Sequence, residues 1–175
     1  MIIKKILSGG QAGVNQAALD IAIDLGISHG GWIPKGRITE KDLIHEKYKL
    51  KEMTSSSCSK CIEKNVIDSD GTLIIYRGKL SGGSELTHKF ASKHQRECLC
   101  IDLETNRGFV AAQLIKAWIV ENNIKVLNVA GPRASKDLDI YADSARLLRA
   151  VYQLFFIETK KFELSRLKPL YPRTV

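Results

Sequence analysis

The sequence predicts an α/β protein built on an open, mostly parallel sheet with helices on both faces. Three observations lead there. Short apolar runs alternate with stretches of helical spacing, most strand candidates are apolar along their whole length, and glycine clusters follow the strands.

The first run, Ile2 to Leu7, ends in glycines; Val14, Ala17, Ala18, Ile21, Ala22 and Leu25 then recur at helical spacing until Gly26 stops them. About 40 irregular residues follow, a length that for a connection points to a functional or partly structured segment. Thr72 to Tyr76 reads as a buried strand and Glu85 to Gln95 as the helix after it. Cys98 to Leu103 forms a third strand. Phe109, Ala112, Leu114, Ile115, Trp118 and Ile119 mark the next amphipathic helix. Lys125 to Ala130 is a fourth strand, and a last long helix runs from about Ile140 past Tyr152. No internal repeat or low-complexity tract interrupts this alternation. The 175 residues therefore divide into one ligand-binding domain, 1–156, and a basic C-terminal tail, 157–175.

Composition narrows the function. At 44% hydrophobic and 26% charged residues the chain is an ordinary globular protein, which excludes disordered and collagen-like classes. No apolar run reaches the ~18 residues of a membrane span, and the opening residues hold no signal-peptide core, so a cytoplasmic, non-membrane protein is expected. The net charge of +8 favours an anionic partner. Its distribution argues against a nucleic-acid surface, because Lys35 to Lys64 mixes eight basic with five acidic residues and the last 25 residues mix five with two. A small phosphate-bearing ligand is the expected partner.

The glycine clusters point to the same ligand class. Gly9-Gly10-Gln11-Ala12-Gly13 follows the first strand, Gly82-Gly83-Ser84 the second, and Gly131-Pro132-Arg133 the fourth. In an open parallel sheet ligands bind outside the carboxyl ends of the strands. Each loop there also opens a helix, whose first N–H groups favour an anion. The first loop fits neither the dinucleotide pattern, which needs glycine at Ser8, nor the P-loop, which needs a following Lys-Ser/Thr pair. In the long connection, Gly31-Trp32-Ile33-Pro34-Lys35-Gly36-Arg37 sets two cations on a stiffened turn, where they could grip an oxyanion or simply form an exposed basic turn. The expected site thus has backbone amides of Gly9, Gly10, Gly13, Gly82, Gly83, Ser84 and Gly131 cradling the anion, beside Pro132. Lys35, Arg37 and Arg133 neutralise it, with Gly36 between the first two, and Gln11 and Thr87 fix orientation.

Other candidate chemistry is sparse. Asp68-Ser69-Asp70-Gly71-Thr72 spaces carboxylates as a calcium loop does but lacks the closing glutamate, and reads as a polar turn before a strand. Cys58-Ser59-Lys60-Cys61 and Cys98-Leu99-Cys100 make one C-x-x-C and one C-x-C, an imperfect set for structural zinc. Redox activity is not expected of the C-x-x-C, because it does not read as the opening of a thioredoxin-like helix. His29, His45, His88 and His94 are scattered, and no metal site is expected.

Five blocks together resemble a known family: GGQAGVNQAALD from Gly9, GWIPKGR from Gly31, NVIDSDGTLI from Asn65, SGGSELT from Ser81 and LNVAGPRAS from Leu127. They are similar to the family named putative molybdenum carrier proteins, within a Rossmann-like group that includes the cytokinin-activating phosphoribohydrolases. The resemblance spans Ile6 to about Tyr152. It implies a Rossmann-like fold, a nucleotide-sized anion in the crevice with molybdenum cofactor (molybdopterin) as the candidate, Asp70 and Thr72 facing the ligand, and a homo-oligomer. The chain departs from the family's pattern at Ala12 and Asn15, where threonine and aspartate are usual, and at Lys60 and Cys61, where an arginine–threonine pair is expected. A nucleotide N-glycosidase is the alternative, and a nucleic-acid-associated module the second. Against the phosphoribohydrolase loop P-G-G-x-G-T-x-x-E, Glu85 and Leu86 stand for Gly-Thr, and Lys89 stands at the glutamate. Hydrolysis by that route is not expected.

Overall fold

The computed structural model describes residues 3–40 and 42–166. In chain order the elements are β1 (Lys5–Leu7), α1 (Val14–Asp24), β2 (Ser28–Gly30), β3 (Trp32–Ile33), β4 (Lys51–Glu52), α2 (Cys58–Ile67), β5 (Gly71–Tyr76), α3 (Gly82–Lys93), β6 (Glu97–Asp102), α4 (Gly108–Glu121), β7 (Val126–Ala130) and α5 (Ile140–Arg166). Ile2, expected to open the first strand, and residues 167–175 of the expected tail lie outside the described residues.

Five strands pair in the order β2-β1-β7-β5-β6, all parallel. Relabelled as though the chain began at β7, this order becomes 3-2-1-4-5, the arrangement of the Rossmann fold. The last strand of the sequence is therefore the middle strand of the sheet. The β1-to-β2 and β5-to-β6 crossovers run in opposite directions, so right-handed connections put their helices on opposite faces. The packing agrees: α1, α4 and α5 form one layer, and α2 and α3 the other.

The α/β reading holds, with additions. β2 carries only Ser28, His29 and Gly30, which give no apolar run, yet it pairs with β1 along the sheet edge. The stretch read as irregular contains β3, β4 and α2, and the parallel pair β3–β4 frames a 17-residue loop, 34–50. Under that loop lies a separate apolar cluster of Leu19, Ile33, Ile44, Tyr48 and Leu50. The main core is the sheet itself, with Leu73, Ile74 and Ile75 of β5 wholly buried. Each such side chain contributes about 1.5–3 kcal/mol by leaving water.

Two glycines set how closely the central loops approach. Gly13, with φ of 116°, caps α1 and forms a β-bridge to Arg133 in the loop after β7. A Cβ on Gly131 would stand 2.3 Å from the Ile75 carbonyl oxygen and 2.4 Å from Val14 Cγ2, so only glycine fits between β5 and α1. Gly131→Ala should therefore cost about 1–3 kcal/mol through overpacking. The measurement is the urea midpoint, which should fall at unchanged slope. The comparison is Gly83→Ala, where the nearest atom, Ile62 Cδ1, is 3.8 Å away; its stability should change by less than about 0.5 kcal/mol.

Candidate ligand-binding site

The carboxyl ends of β1, β5 and β7 open onto a cavity of about 370 Å³. That is within the roughly 300–1,000 Å³ of small-molecule sites. Gly9, Gln11 and Asn15 line it from the first loop, Ser81, Gly82, Gly83, Ser84 and Thr87 from the second, and Gly131, Pro132, Arg133 and Lys136 from the third. Trp32, Pro34 and Glu40 also line it, with Cys58, Cys61, Ile62 and Asn65 of α2. Asn128 and Ala130 of β7 complete the lining.

The loops differ in what they leave free for a ligand. The N–H groups of Gly82, Gly83 and Ser84 precede the first helical bond of α3, which Glu85 N donates to Ser81 O at 3.3 Å. They therefore stand at a helix N-terminus without an intrahelical acceptor. Thr87 Oγ1 donates back to Gly83 O at 2.7 Å and closes this turn. The first loop is more committed. Val14 N donates to Pro132 O (3.4 Å), Ala134 N to Ala12 O (2.9 Å), and Gly10 packs inward on Leu50 and Ile44. Its role is to hold the third loop in place.

Carboxamides fix the polar interior of the cavity. Asn65, 4% exposed, accepts from Trp32 N (2.7 Å) and donates to Trp32 O (3.0 Å), clamping the backbone of β3. Trp32 Nε1 donates to Asp68 Oδ2 at 2.7 Å. Burial raises the Asp68 carboxyl, but hydrogen bonds from Lys64 and Trp32 more than offset this and hold it below its ordinary value. The indole is thus a fixed wall, with Lys51 and Lys64 ammoniums 5.6 and 5.7 Å from its centre. Asn15 Nδ2 donates to the buried Ser8 Oγ (2.9 Å), and Asn128 Nδ2 to the buried Thr72 Oγ1 (3.2 Å). Among the described residues neither carboxamide oxygen has a partner.

At the rim Arg133 Nη1 meets Glu40 Oε1 at 2.5 Å, and Ser135 Oγ donates to Glu40 Oε2 at 2.6 Å. These hydrogen bonds, Ser135's first, hold the Glu40 carboxyl below its ordinary value. Glu40 also lines a second cavity with Gln11, whose amide donates to Ile38 O at 3.3 Å. Beside that cavity Asp20 accepts from Lys47 (2.8 Å), Tyr141 (2.7 Å) and Tyr48 (3.0 Å), tying α1, the 34–50 loop and α5 together.

Several expected site residues stand elsewhere. Arg37, at φ 53°, donates to the carbonyls of Leu50, His45 and Tyr48 and pins the 34–50 loop. Gly36 N donates to Glu52 Oε2 (2.8 Å), Lys35 is exposed, and neither lines the cavity. Asp70 accepts from Lys125 N and Val126 N at the amino ends of β5 and β7, a whole strand, or roughly 20 Å, from the cavity. Thr72 is buried behind Asn128. Glu85 pairs with Lys89 (2.6 Å) on the exposed side of α3. The C-x-x-C, expected not to open a helix, forms the first turn of α2, where Ser57 caps the end by accepting from Lys60 N. Cys98 and Cys100 lie half-buried on the edge strand β6, and their mutual interaction lowers Cys100 to about 7 while raising Cys98. Asn15, Asn65, Asn128, Trp32 and Glu40 were not read as site residues. The available signal was a polar side chain inside an apolar element, as in Lys125-Val126-Leu127-Asn128-Val129-Ala130.

Residues 6–152 match the model of the circularly permutated YpsA SLOG family. The crystal structure of a protein from Syntrophus aciditrophicus SB, named "Putative molybdenum carrier protein", is 52% identical to this chain. It superposes with a TM-score of 0.85 over 86% of this chain and 95% of its own. No curated protein matches significantly. No helix among the described residues is long and apolar enough to cross a membrane.

Asn65→Ala should leave the Trp32 N–H and C=O unsatisfied and cost about 1–3 kcal/mol. The matching readout is a red-shifted tryptophan emission in the folded protein. For Glu40 the lowered folded value means its contribution is full above the unfolded pKa of about 4.3 and is lost as pH falls through the lower folded value. The difference in thermal midpoint between wild type and Glu40→Gln should therefore be constant from pH 6 to 8, roughly, and disappear only below pH ~4.

Proposed function

The chain belongs to the circularly permutated YpsA SLOG family, and from that premise we propose that it is a binding or carrier protein for a phosphate-bearing small molecule, with molybdenum cofactor as the ligand. The observation that carries this reading is the meeting of three strand-end loops at one cavity, which the residues of the α3 N-terminus line together with Arg133 and Lys136. A phosphate between them would gain backbone donors, a helix dipole and a guanidinium together. The name of the Syntrophus protein supports the choice of ligand.

The residues present suit such a group. Asn15 and Asn128 offer carboxamide oxygens to the donor edge of a pterin or a base, and Trp32 offers a fixed aromatic wall. When bound, molybdenum cofactor supplies a metal-bearing dithiolene on its pterin. What this chain supplies is capture: amides and Arg133 for the phosphate, carboxamides for the ring edge, and an apolar wall that excludes water. Glu40 occupies Arg133 in the free protein, so an incoming anion competes with an internal carboxylate. The N-glycosidase reading draws no support from Asp70 or Glu85, since neither lines the cavity.

Native mass spectrometry and thermal shift of protein from its own host, with molybdopterin and nucleotide panels added, test the proposal. A retained ligand or a raised melting temperature is expected, and the absence of both overturns it. Arg133→Gln should weaken binding about tenfold or more by removing a charged hydrogen bond of about 1.5–3 kcal/mol. Glu40→Gln should strengthen binding by freeing Arg133.

A further inference from the structure

The cavity wall carries a feature that ligand capture does not use: two thiols three residues apart on the first turn of α2. Cys58 is the first helical residue and is exposed; Cys61 is buried, and its thiol donates to Ser57 O at 3.3 Å. Both line the cavity. Side chains three apart on a helix share a face, with Cβ atoms about 5–6 Å apart, so a small adjustment brings the sulfurs into bonding range. The arrangement is asymmetric, with one accessible sulfur and one shielded sulfur behind it. An exposed attacking thiol with a neighbouring resolving thiol is the layout of a dithiol that exchanges with disulfides.

We propose that Cys58 and Cys61 form a redox-active dithiol that reduces low-molecular-weight disulfides of the glutathione class and closes to a disulfide in the cavity wall. The Cys58 thiolate attacks one sulfur of the oxidant RSSR, forming Cys58–S–SR and releasing RS⁻. Cys61 gives its proton to solvent and attacks the Cys58 sulfur, which closes the Cys58–Cys61 bond and expels the second RS⁻. The protein loses two electrons and two protons, and the oxidant leaves as two RSH. Burial, and then the charge of Cys58, push the Cys61 thiol up to about 11. Once Cys58 is in the mixed disulfide its charge no longer opposes ionisation of Cys61. Closure of the ring should accelerate as pH rises.

The test uses the full chain equilibrated with graded ratios of oxidised to reduced glutathione, quenched in acid, alkylated and digested with trypsin. Lys60 lies between the cysteines, so the disulfide appears as two tryptic peptides cross-linked across the cut after Lys60. The expected result is that this cross-link forms reversibly, that Cys61→Ser traps a stable glutathione adduct on Cys58, and that Cys58→Ser loses both. The proposal is overturned if the wild-type map shows no Cys58–Cys61 cross-link at any ratio, or if oxidation is confined to Cys98 and Cys100. The wild-type map decides even if a variant fails to fold. No added cavity ligand is needed, so this outcome is separable from the carrier reading.

Discussion

The backbone stitch between the loops after β1 and β7 is the constraint on which the rest of the site depends. Ala134 N to Ala12 O, Val14 N to Pro132 O, and the bridge from Gly13 to Arg133 join segments about 120 residues apart in sequence. They close only because Gly131 lets the chain pass within van der Waals reach of the Ile75 carbonyl and Val14. Once joined, the two loops form one floor, and Glu40 holds the Arg133 guanidinium at the rim. An anion site gains from this, since ordering its cations in advance removes an entropic cost from binding.

The rest of the lining is built differently. α2, β3 and β4 are held to one another by polar side chains, and to the rest by packing of α2 on α3 and of Ile33 on Leu19. Asn65 clamps Trp32, Asp68 orients the indole, and Arg37 ties the 34–50 loop to its own carbonyls. The cavity thus lies between a backbone-stitched floor and a side-chain-clamped wall. The α3 amides, Arg133 and the α2 cysteines all line this one cavity, so ligand capture and thiol chemistry share it.

Legibility followed the range of the interaction. Val14, Ala18, Ile21 and Ala22 at helical spacing gave α1, and the continuous run Leu73 to Ile75 gave the buried strand, because periodicity reflects burial directly. β2 was illegible because Ser28-His29-Gly30 pairs through backbone groups alone. Among the cations, Arg133 reaches the cavity, while Arg37 turns inward to three carbonyls that no local pattern announces. Asp70 has the spacing of a ligand but sits at the wrong end of its strand, capping two amides of β7. The helix opened by Cys58 was hidden by the serine-rich run before it, which reads equally as a loop until Ser57 accepts from Lys60 N.

The α/β class, the parallel sheet and the positions of three glycine loops are legible in the linear chain, since each depends on local spacing or on a residue without a side chain. The chain also holds the family's blocks in order. Tertiary structure decided the strand order that makes β7 central, the partnering of Arg133 with Glu40, and the meeting of Trp32, Asn65 and the C-x-x-C at one cavity. Those outcomes depend on hydrogen bonds between residues tens to more than a hundred positions apart. Only the folded chain brings such partners within 3 Å or so, and a linear pattern does not encode which will meet.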